Sequence, residues 1–434
     1  MFHKLTLENF KNFRQAELKL GQFTVLIGAN ASGKSNLREA FRFLHGIGRG
    51  YTLPEIIDEK WIEGGVRVWN GIRGGARELA FEFENHSEHT FMLRFFYYIE
   101  TPNDRSVITY AVEVFPGTVN QYPQIISEYL DYNDEECFSA WVDGMGNVLV
   151  VSAGPIGPEE FYDVRWDNTR PILFQIQHQL PHFKLGARVD FVELVVKVIE
   201  STIASIKSMR FFEFEPIAMR MPSLPGQTVL GDRGENLSSV LYAICQDEEQ
   251  KQTLTSYLED LTPMEVVDFE FPTDQIGRVL VTLVEKNGQR ISAYSASDGT
   301  LRILAMLAAF LGSVTDSFYF FEELENGIHP TRLHLLTQLI EYQSKRRGIQ
   351  VVASTHSPYL LNFLQAETLE YASLLYRLEG QPDAHIQHIM DIPDARRLIQ
   401  EQGILRLHES GWFENVMFFL DDDEEAEPEA EAVG

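Results

Sequence analysis

Only two cysteines, Cys137 and Cys245, occur in 434 residues, and they stand far apart. That excludes a disulfide scaffold and suits a reducing, intracellular compartment. Long apolar runs are missing too; none approaches the ~20 residues that a membrane span requires. The opening MFHKLTLENFKNF alternates charged and apolar side chains and lacks the apolar core of a secretory signal. A soluble, cytoplasmic protein without membrane contact is the expectation. Basic side chains are scarce: 36 Lys and Arg face 64 Asp and Glu, for a formal net charge of −28. This argues against a surface that coats nucleic acid nonspecifically. Residues 421–434 (DDDEEAEPEAEAVG) hold eight acids and no base, which leaves −20 on the other 420 residues. Such a tail is expected to be solvated and disordered; an acidic strip competing with DNA for a basic groove is the sharper alternative. There is no internal repeat at a solenoid period and no heptad run long enough for a coiled coil.

What is present suits a folded core. A hydrophobic fraction of 44% is ordinary for a globular protein, and the length allows two or three domains at roughly 100–200 residues each. Lys4–Leu7 and Ala16–Leu20 read as short strands. Phe23–Ile27 is wholly apolar, the pattern of a strand buried on both faces of a parallel sheet. It runs into GANASGKS and a helical stretch on which Leu37, Phe41 and Leu44 share one face. From Glu78 to Phe115 the segments ELAFEFE, TFMLRFFYYIE and SVITYAVEVF alternate and are separated by turn-rich stretches, which predicts an antiparallel meander. A further hairpin is expected over Phe138–Val151, turned at Gly144–Asn147. Residues 152–180 are weakly patterned, and a helix is predicted over Asp190–Met209. An α/β rhythm then returns. It comprises a helix near Asn236–Cys245, a hairpin turned by Asn287-Gly288, a helix over Asp298–Leu311 and buried strands at Phe318–Phe321 and Gln350–Ala353. Helical stretches are also expected from Pro330 and after Pro358.

Gly28-Ala29-Asn30-Ala31-Ser32-Gly33-Lys34-Ser35 satisfies G-x4-G-K-[ST] in full. The glycines let backbone N–H groups curl around phosphate oxygens, and the helix N-terminus behind them adds partial positive charge. Lys34 is suited to reach the β- and γ-phosphates, and the Ser35 hydroxyl to ligate Mg²⁺. The position between a buried strand and a helix distinguishes a phosphate site from a mere glycine-rich turn. Gly28, Asn30, Ser32, Gly33, Lys34, Ser35 and Asn36 are therefore the candidate nucleotide-binding residues. Three later segments extend the pattern. Ser295–Thr300 (SASDGT) feeds a helix N-terminus, suited either to a second phosphate or to an ordinary cap by Ser297 or Asp298. The apolar strand Phe318–Phe321 ends in Glu322 and Glu323. The first is suited to holding Mg²⁺ directly or through water and the second to orienting an attacking water, unless the pair is simply solvated. His356 follows a third buried strand, in STHSP.

In this order GANASGKS, SDGTLR, FYFFEELENGIHP and STHSP resemble the ABC-type ATPases of the RecF/SMC/OLD group, most closely the stand-alone RecF-like and AAA_21 type. Relatives of this compact layout resemble ATPase subunits of bacterial antiphage systems. LTLENFKNFRQAEL and Gly231–Ile244 (GDRGENLSSVLYAI) resemble further segments of the group. The resemblance covers residues 1–45 and about 206–365, and hardly touches the stretch between. It implies an α/β fold: an ABC-type P-loop ATPase with a two-lobed core, an antiparallel β meander and a large central insertion. The division expected is lobe I at 1–115, a partly helical insertion at 116–205, lobe II at 206–420 and the acidic tail at 421–434. The resemblance makes Ser297 and Gly299 the signature presented to the γ-phosphate of a partner's ATP. It makes Ser35 and Glu322 the Mg²⁺ residues, Glu323 the general base for water and His356 the γ-phosphate-sensing switch; Glu323 and His356 are the catalytic candidates. Glu325, Asn326 and Gly327 fall where the group has its dimer-contact loop. Glu322 departs from the commoner Asp, the signature lacks the full Leu-Ser-Gly-Gly-Gln form, and only Gln175 and Gln177 offer themselves as the lobe-linking glutamine. The implied assembly is a homodimer, or a higher even-numbered oligomer, sandwiching ATP.

Other features have plainer readings beside functional ones. Gly71–Arg77 (GIRGGAR), with Arg67 upstream, is either a solvent-exposed turn or a contact for a nucleic-acid backbone or acidic partner. Lys345-Arg346-Arg347-Gly348 reads as cations complementing a helix dipole before a glycine cap. His86/His89 and His385/His388 lack nearby Cys or a third ligand and are not expected to bind metal. Asp421–Asp423 invites comparison with a Toprim nuclease, but the 78 residues after His356 are too few for the family's ATPase ending plus that domain. No built-in nuclease is expected. The function expected is that of an ATP- and Mg²⁺-dependent dimeric switch. It would sense or scaffold a nucleic-acid or foreign-protein trigger and control a separately encoded effector, a nuclease, in antiphage defence. The alternatives are a RecF-like DNA-repair ATPase and a nucleotide-gated scaffold with negligible turnover.

Overall fold

The computed structural model describes residues 1–81, 90–101, 104–142, 148–154, 157–160, 166–179, 189–313, 317–378, 380–413 and 416. The chain forms two compact units: Met1–Gly21 with Ala31–Met209 and Leu375–Ile386, and Gln22–Asn30 with Arg210–Leu374 and Gln387–Gly434. The acidic tail 421–434, the turn 144–147, the pair His86/His89 and Asp421–Asp423 lie outside the described residues.

The first unit is organised by an eight-stranded sheet. Its order is Gly157–Glu160, Val148–Gly154, Glu135–Val142, Gln124–Tyr132, Asp104–Phe115, Phe91–Thr101, Phe2–Phe10 and Phe13–Lys19, every neighbour antiparallel. Strict alternation sends Phe91, Leu93, Phe95 and Tyr97 to the buried face, as period-two patterning requires. The helix Lys34–Gly48 lays its stripe on this face. Leu37, Phe41 and Leu44 are wholly buried, and Phe43 meets Phe91 edge-on with ring centroids 5.3 Å apart. It also packs closely on the helix Val189–Lys207: a side chain at Gly48 would come within 2.6 Å of Ile206 and 2.7 Å of the Lys207 backbone nitrogen. The sheet continues past Phe115 into Gln124–Tyr132, so residues expected to begin an insertion pair directly with the meander.

Two segments differ from the pattern expected here. The described part of ELAFEFE is not a strand: Gly75–Glu78 is a 3-10 turn, and Ala80 makes one bridge to Phe10. Positive φ angles at Gly74 and Gly75 turn the chain there. Conversely, the weakly patterned stretch yields the helix Ile172–Gln179.

The second unit holds a six-stranded sheet ordered Met209–Phe212, Phe318–Phe321, Gln350–Thr355, Phe23–Ile27, Ala372–Tyr376 and His385–His388. The four central strands are parallel. Every residue of Phe23–Ile27, Phe318–Phe321 and Gln350–Thr355 is buried, the mark of strands covered on both faces. A smaller antiparallel sheet pairs Val266–Glu270, Thr282–Glu285 and Arg290–Ser292, the last two joined across Asn287-Gly288. The helix Asp298–Leu311 begins and ends where the sequence predicts. The helix expected from Pro330 opens as a 3-10 turn and becomes α-helical over Leu333–Arg347, ended by Gly348 at φ 66°. Among the described residues, no helix is long and apolar enough to cross a membrane.

Candidate nucleotide site

In an open parallel sheet, ligands bind beyond the carboxyl ends of the strands. Here three such ends lie side by side. Phe321 pairs with Ala353, Ala353 with Val25 and Thr355 with Ile27. Glu322, His356 and Gly28, each the first residue after its strand, therefore emerge at the same edge of the second unit.

The glycine-rich loop then leads into the helix Lys34–Gly48. Gly33 caps that helix in a left-handed conformation, φ 107°, and its carbonyl accepts the Leu37 N–H at 2.9 Å. A side chain there would meet Phe13 Cζ at 2.8 Å, so glycine is demanded by both conformation and space. Ala31 also has positive φ, 64°. Asn36 donates to Asn12 Oδ1 at 2.7 Å, which ties the loop to the turn between the first two strands; Asn12 had no signal in the sequence pattern. Ser32 Oγ is buried without a hydrogen-bond partner. A buried hydroxyl without a partner is costly, and a phosphate oxygen would satisfy it. The orphaned hydroxyl and the glycine cradle fit a bound polyphosphate. Lys34 is buried, while Asn30 is exposed and Ser35 half-buried.

The acidic pair is built more unusually than its sequence suggests. Glu322 donates its backbone N–H to Phe212 O at 3.1 Å. Glu323 has φ 50°, a conformation that costs a non-glycine residue about 1–3 kcal/mol and persists where the surroundings over-determine it. Ser354 supplies part of that restraint. Its Oγ accepts the Glu323 N–H at 3.1 Å and its carbonyl accepts the Leu324 N–H at 3.0 Å. Glu323 Oε1 lies 3.7 Å from His356 Nε2, and Glu323 Oε2 accepts a hydrogen bond from Asn326 Nδ2 at 2.8 Å. The His356 backbone N–H donates to Glu325 Oε1 at 2.7 Å, while Glu325 Oε2 is buried without a hydrogen-bond partner. The fold thus brings Glu323, Glu325, Asn326 and His356 together; Ser354 had no separate signal.

Ser297 and Gly299 lie at the start of the helix Asp298–Leu311. Ser297 Oγ accepts the Thr300 N–H at 3.1 Å, an ordinary N-cap, which was one of the two readings open in the sequence. Arg220 grips the same turn, donating to Ala296 O at 2.9 Å and Asp298 Oδ1 at 2.7 Å. Gly299 packs against Gly327, whose carbonyl oxygen would lie 2.0 Å from a side chain on Gly299.

The weaker candidates resolve into local roles. Arg67 pairs with Glu59 at 2.8 Å. Arg73 donates its backbone N–H to Glu39 Oε2 at 3.3 Å, and its carbonyl accepts from Lys11 Nζ at 2.6 Å. Gln175 is spent on its own loop, donating to Asp167 O at 2.7 Å and Arg170 O at 3.0 Å. Lys345 pairs with Glu367 at 2.6 Å. His385 stacks on Tyr376, whereas His388 bonds Ser373 Oγ at 3.1 Å. No grouping of three or more potential metal-ligating His, Cys, Asp and Glu occurs among the described residues.

A phosphate loop after a buried parallel strand, acids ending the strand next but one in the same sheet and an antiparallel sheet in the same chain define an ABC-type P-loop ATPase fold. Residues 23–136 and 189–362 match the family described as "AAA domain, putative AbiEii toxin, Type IV TA system". The chain belongs to this AAA_21 family, the one its motif order resembles. It is also similar to the DNA replication and repair protein RecF of Rickettsia felis, 44% identical over 57 residues, which cover 13% of this chain and 15% of that protein. The chain thus spans only a small part of the curated relatives it matches. Among solved structures it is similar to the SmcHead bound to the C-winged helix domain of ScpA (TM-score 0.49, 14% identity, covering 89% of this chain and 97% of that one). A second is the SMC head domain from Thermotoga maritima (TM-score 0.41, 13% identity, covering 89% and 98%).

Proposed function

We propose that this protein binds and hydrolyses ATP and acts as a dimeric switch that controls a separately encoded effector. The observation that carries the hydrolytic reading is the cluster at the strand ends, where the strained Glu323 stands 3.7 Å from His356. In this reading Gly28, Asn30, Ser32, Gly33, Lys34, Ser35 and Asn36 hold the nucleotide phosphates. Ser35 and Glu322 would hold Mg²⁺, whose charge screens the phosphates and supports the leaving group when bound. Glu323 accepts the proton of the attacking water, and His356 senses the γ-phosphate. Ser297 and Gly299 face the phosphate of a second copy, so full activity requires association. The family's description as a putative toxin of a type IV toxin–antitoxin system supports a role that involves a second gene product; a place in antiphage defence, a nucleic-acid or foreign-protein trigger and a nuclease as effector belong to this proposal. The partial likeness to RecF supports the second reading, a DNA-repair ATPase.

Glu323→Gln tests the chemistry. Removing a general base should lower turnover by about 10²-fold or more while ATP binding persists and the protein accumulates as a closed dimer. Turnover equal to wild type would remove Glu323 from the chemistry, and full-rate hydrolysis by a strictly monomeric species would remove the sandwich. Copurification of the native complex, with mass measurement with and without ATP, tests the effector: a nuclease subunit supports the defence reading, and a replication or repair factor supports the second.

A further inference from the structure

We propose that Asn326 is a positioning residue that latches Glu323 in the resting chain, and that the turn Ser297–Gly299 sets the latch. The catalytic consequence rests on the reading of Glu323 as general base; the mechanical link does not.

Asn326 holds Glu323 twice. Its side-chain amide donates to Glu323 Oε2 at 2.8 Å, and its backbone N–H donates to Glu323 O at 2.9 Å. The other carboxylate oxygen faces His356, whose own backbone is held by Glu325. A carboxylate oxygen occupied by an amide donor is less available to take a proton from water. Glu323 is meanwhile kept at positive φ by Ser354, so the turn is restrained at both ends.

Gly327, the next residue, connects this turn to the one bearing Ser297. A side chain on Gly299 would stand 2.0 Å from Gly327 O, and one on Gly327 would stand 3.2 Å from Gly299 Cα. Two backbones in contact, with no side chain between them to yield, transmit displacement directly. A phosphate or a second copy seating on the Ser297 turn would move Gly327, and with it Asn326, and free Glu323 Oε2. The same chain would then sense occupation of its signature turn through its own catalytic base.

Hydrogen exchange of the nucleotide-free full-length protein tests the link without relying on ATP turnover. In Asn326→Ala and in Gly299→Ala, amides across Glu322–Ile328 should exchange at least about fivefold faster, the loss of one ordinary hydrogen bond. Asn326→Gln, which keeps the amide donor, should restore part of the protection. On the catalytic side, Asn326→Ala should raise kcat at low protein concentration with KM for ATP unchanged and should weaken the dependence on protein concentration. A merely structural Asn326 would lower stability without that split. Unchanged exchange in Asn326→Ala overturns the latch, and unchanged exchange in Gly299→Ala overturns its connection to the signature turn. If Glu323→Gln hydrolyses ATP like wild type, the general-base reading fails while the exchange result still decides the latch.

Discussion

Glu128 offers a prediction whose size follows from its surroundings. It is wholly buried on the strand Gln124–Tyr132, facing the start of the helix Ile172–Gln179. One carboxylate oxygen accepts from Tyr110 Oη and from the Leu173 N–H, both at 2.9 Å; the other accepts from the Ile172 N–H at 2.7 Å. Burial nevertheless dominates these bonds and pushes the Glu128 carboxyl up to about 7, from 4.5 for an unburied glutamate. Because the folded value is the higher one, the native state holds the proton more tightly. The contribution to stability is complete below about pH 4.5 and is lost as pH rises through 7. A carboxyl held at about 7 in place of 4.5 corresponds to about 3 kcal/mol. Asp131, raised to about 6 by burial and by Glu136 and Asp134, gives the same sign, so wild type alone does not isolate Glu128. The measurement is therefore a difference: urea unfolding of wild type and Glu128→Gln at pH 4.5 and pH 8. The stability of wild type relative to the variant should fall by about 3 kcal/mol between them. A pH-independent difference would mean that the three donors, and not burial, control this carboxylate.

Two further substitutions probe the phosphate loop and the sheet. Gly33→Ala places a side chain at φ 107° and 2.8 Å from Phe13; strain of about 1–3 kcal/mol should distort the loop, and calorimetry should show ATP affinity lost at least tenfold. Tyr97→Phe removes the hydroxyl that bonds Thr202 at 2.6 Å, while Thr202 keeps its bond to Val198 O. Unfolding experiments should show a loss of about 1 kcal/mol, and a neutral result would mean the helix Val189–Lys207 docks by apolar packing alone.

Elements with one dominant signal were legible in the sequence. Phe23–Ile27, Phe318–Phe321 and Asp298–Leu311 have the bounds predicted, because unbroken apolar runs and a serine cap are local properties. The strand Gln124–Tyr132 was not legible, and Glu128 is the reason. It occupies a core-facing position, and what makes an acid tolerable there is a set of donors from Tyr110 and a helix start more than forty residues away. The helix Glu248–Leu261 was hidden differently: only Leu254, Leu258 and Leu261 are buried, a stripe too narrow to stand out in a charged segment.

The candidate site divides along the same line. Residue types that carry chemistry, such as Lys34, Glu323 and His356, announce themselves by motif. What restrains them is contact between segments, which spacing does not encode. Ser354 reaches Glu323 only because the two parallel strands lie in the register that pairs Phe321 with Ala353. Gly299 looks like a permissive residue in the turn Ser297–Gly299, yet its lack of a side chain is required by Gly327 O. The glycine at 71 is bound by a similar demand, since a side chain there would stand 1.4 Å from Asp58 O. Two of that loop's arginines are fastened differently: Arg67 pairs with Glu59 through its side chain, and Arg73 is held through its backbone, to Glu39 and Lys11. A glycine-rich basic loop is thus shaped first by its fastening to the phosphate-loop helix that carries Glu39. A phosphate reaching Arg67 would have to displace Glu59, which lowers the affinity this cation could contribute.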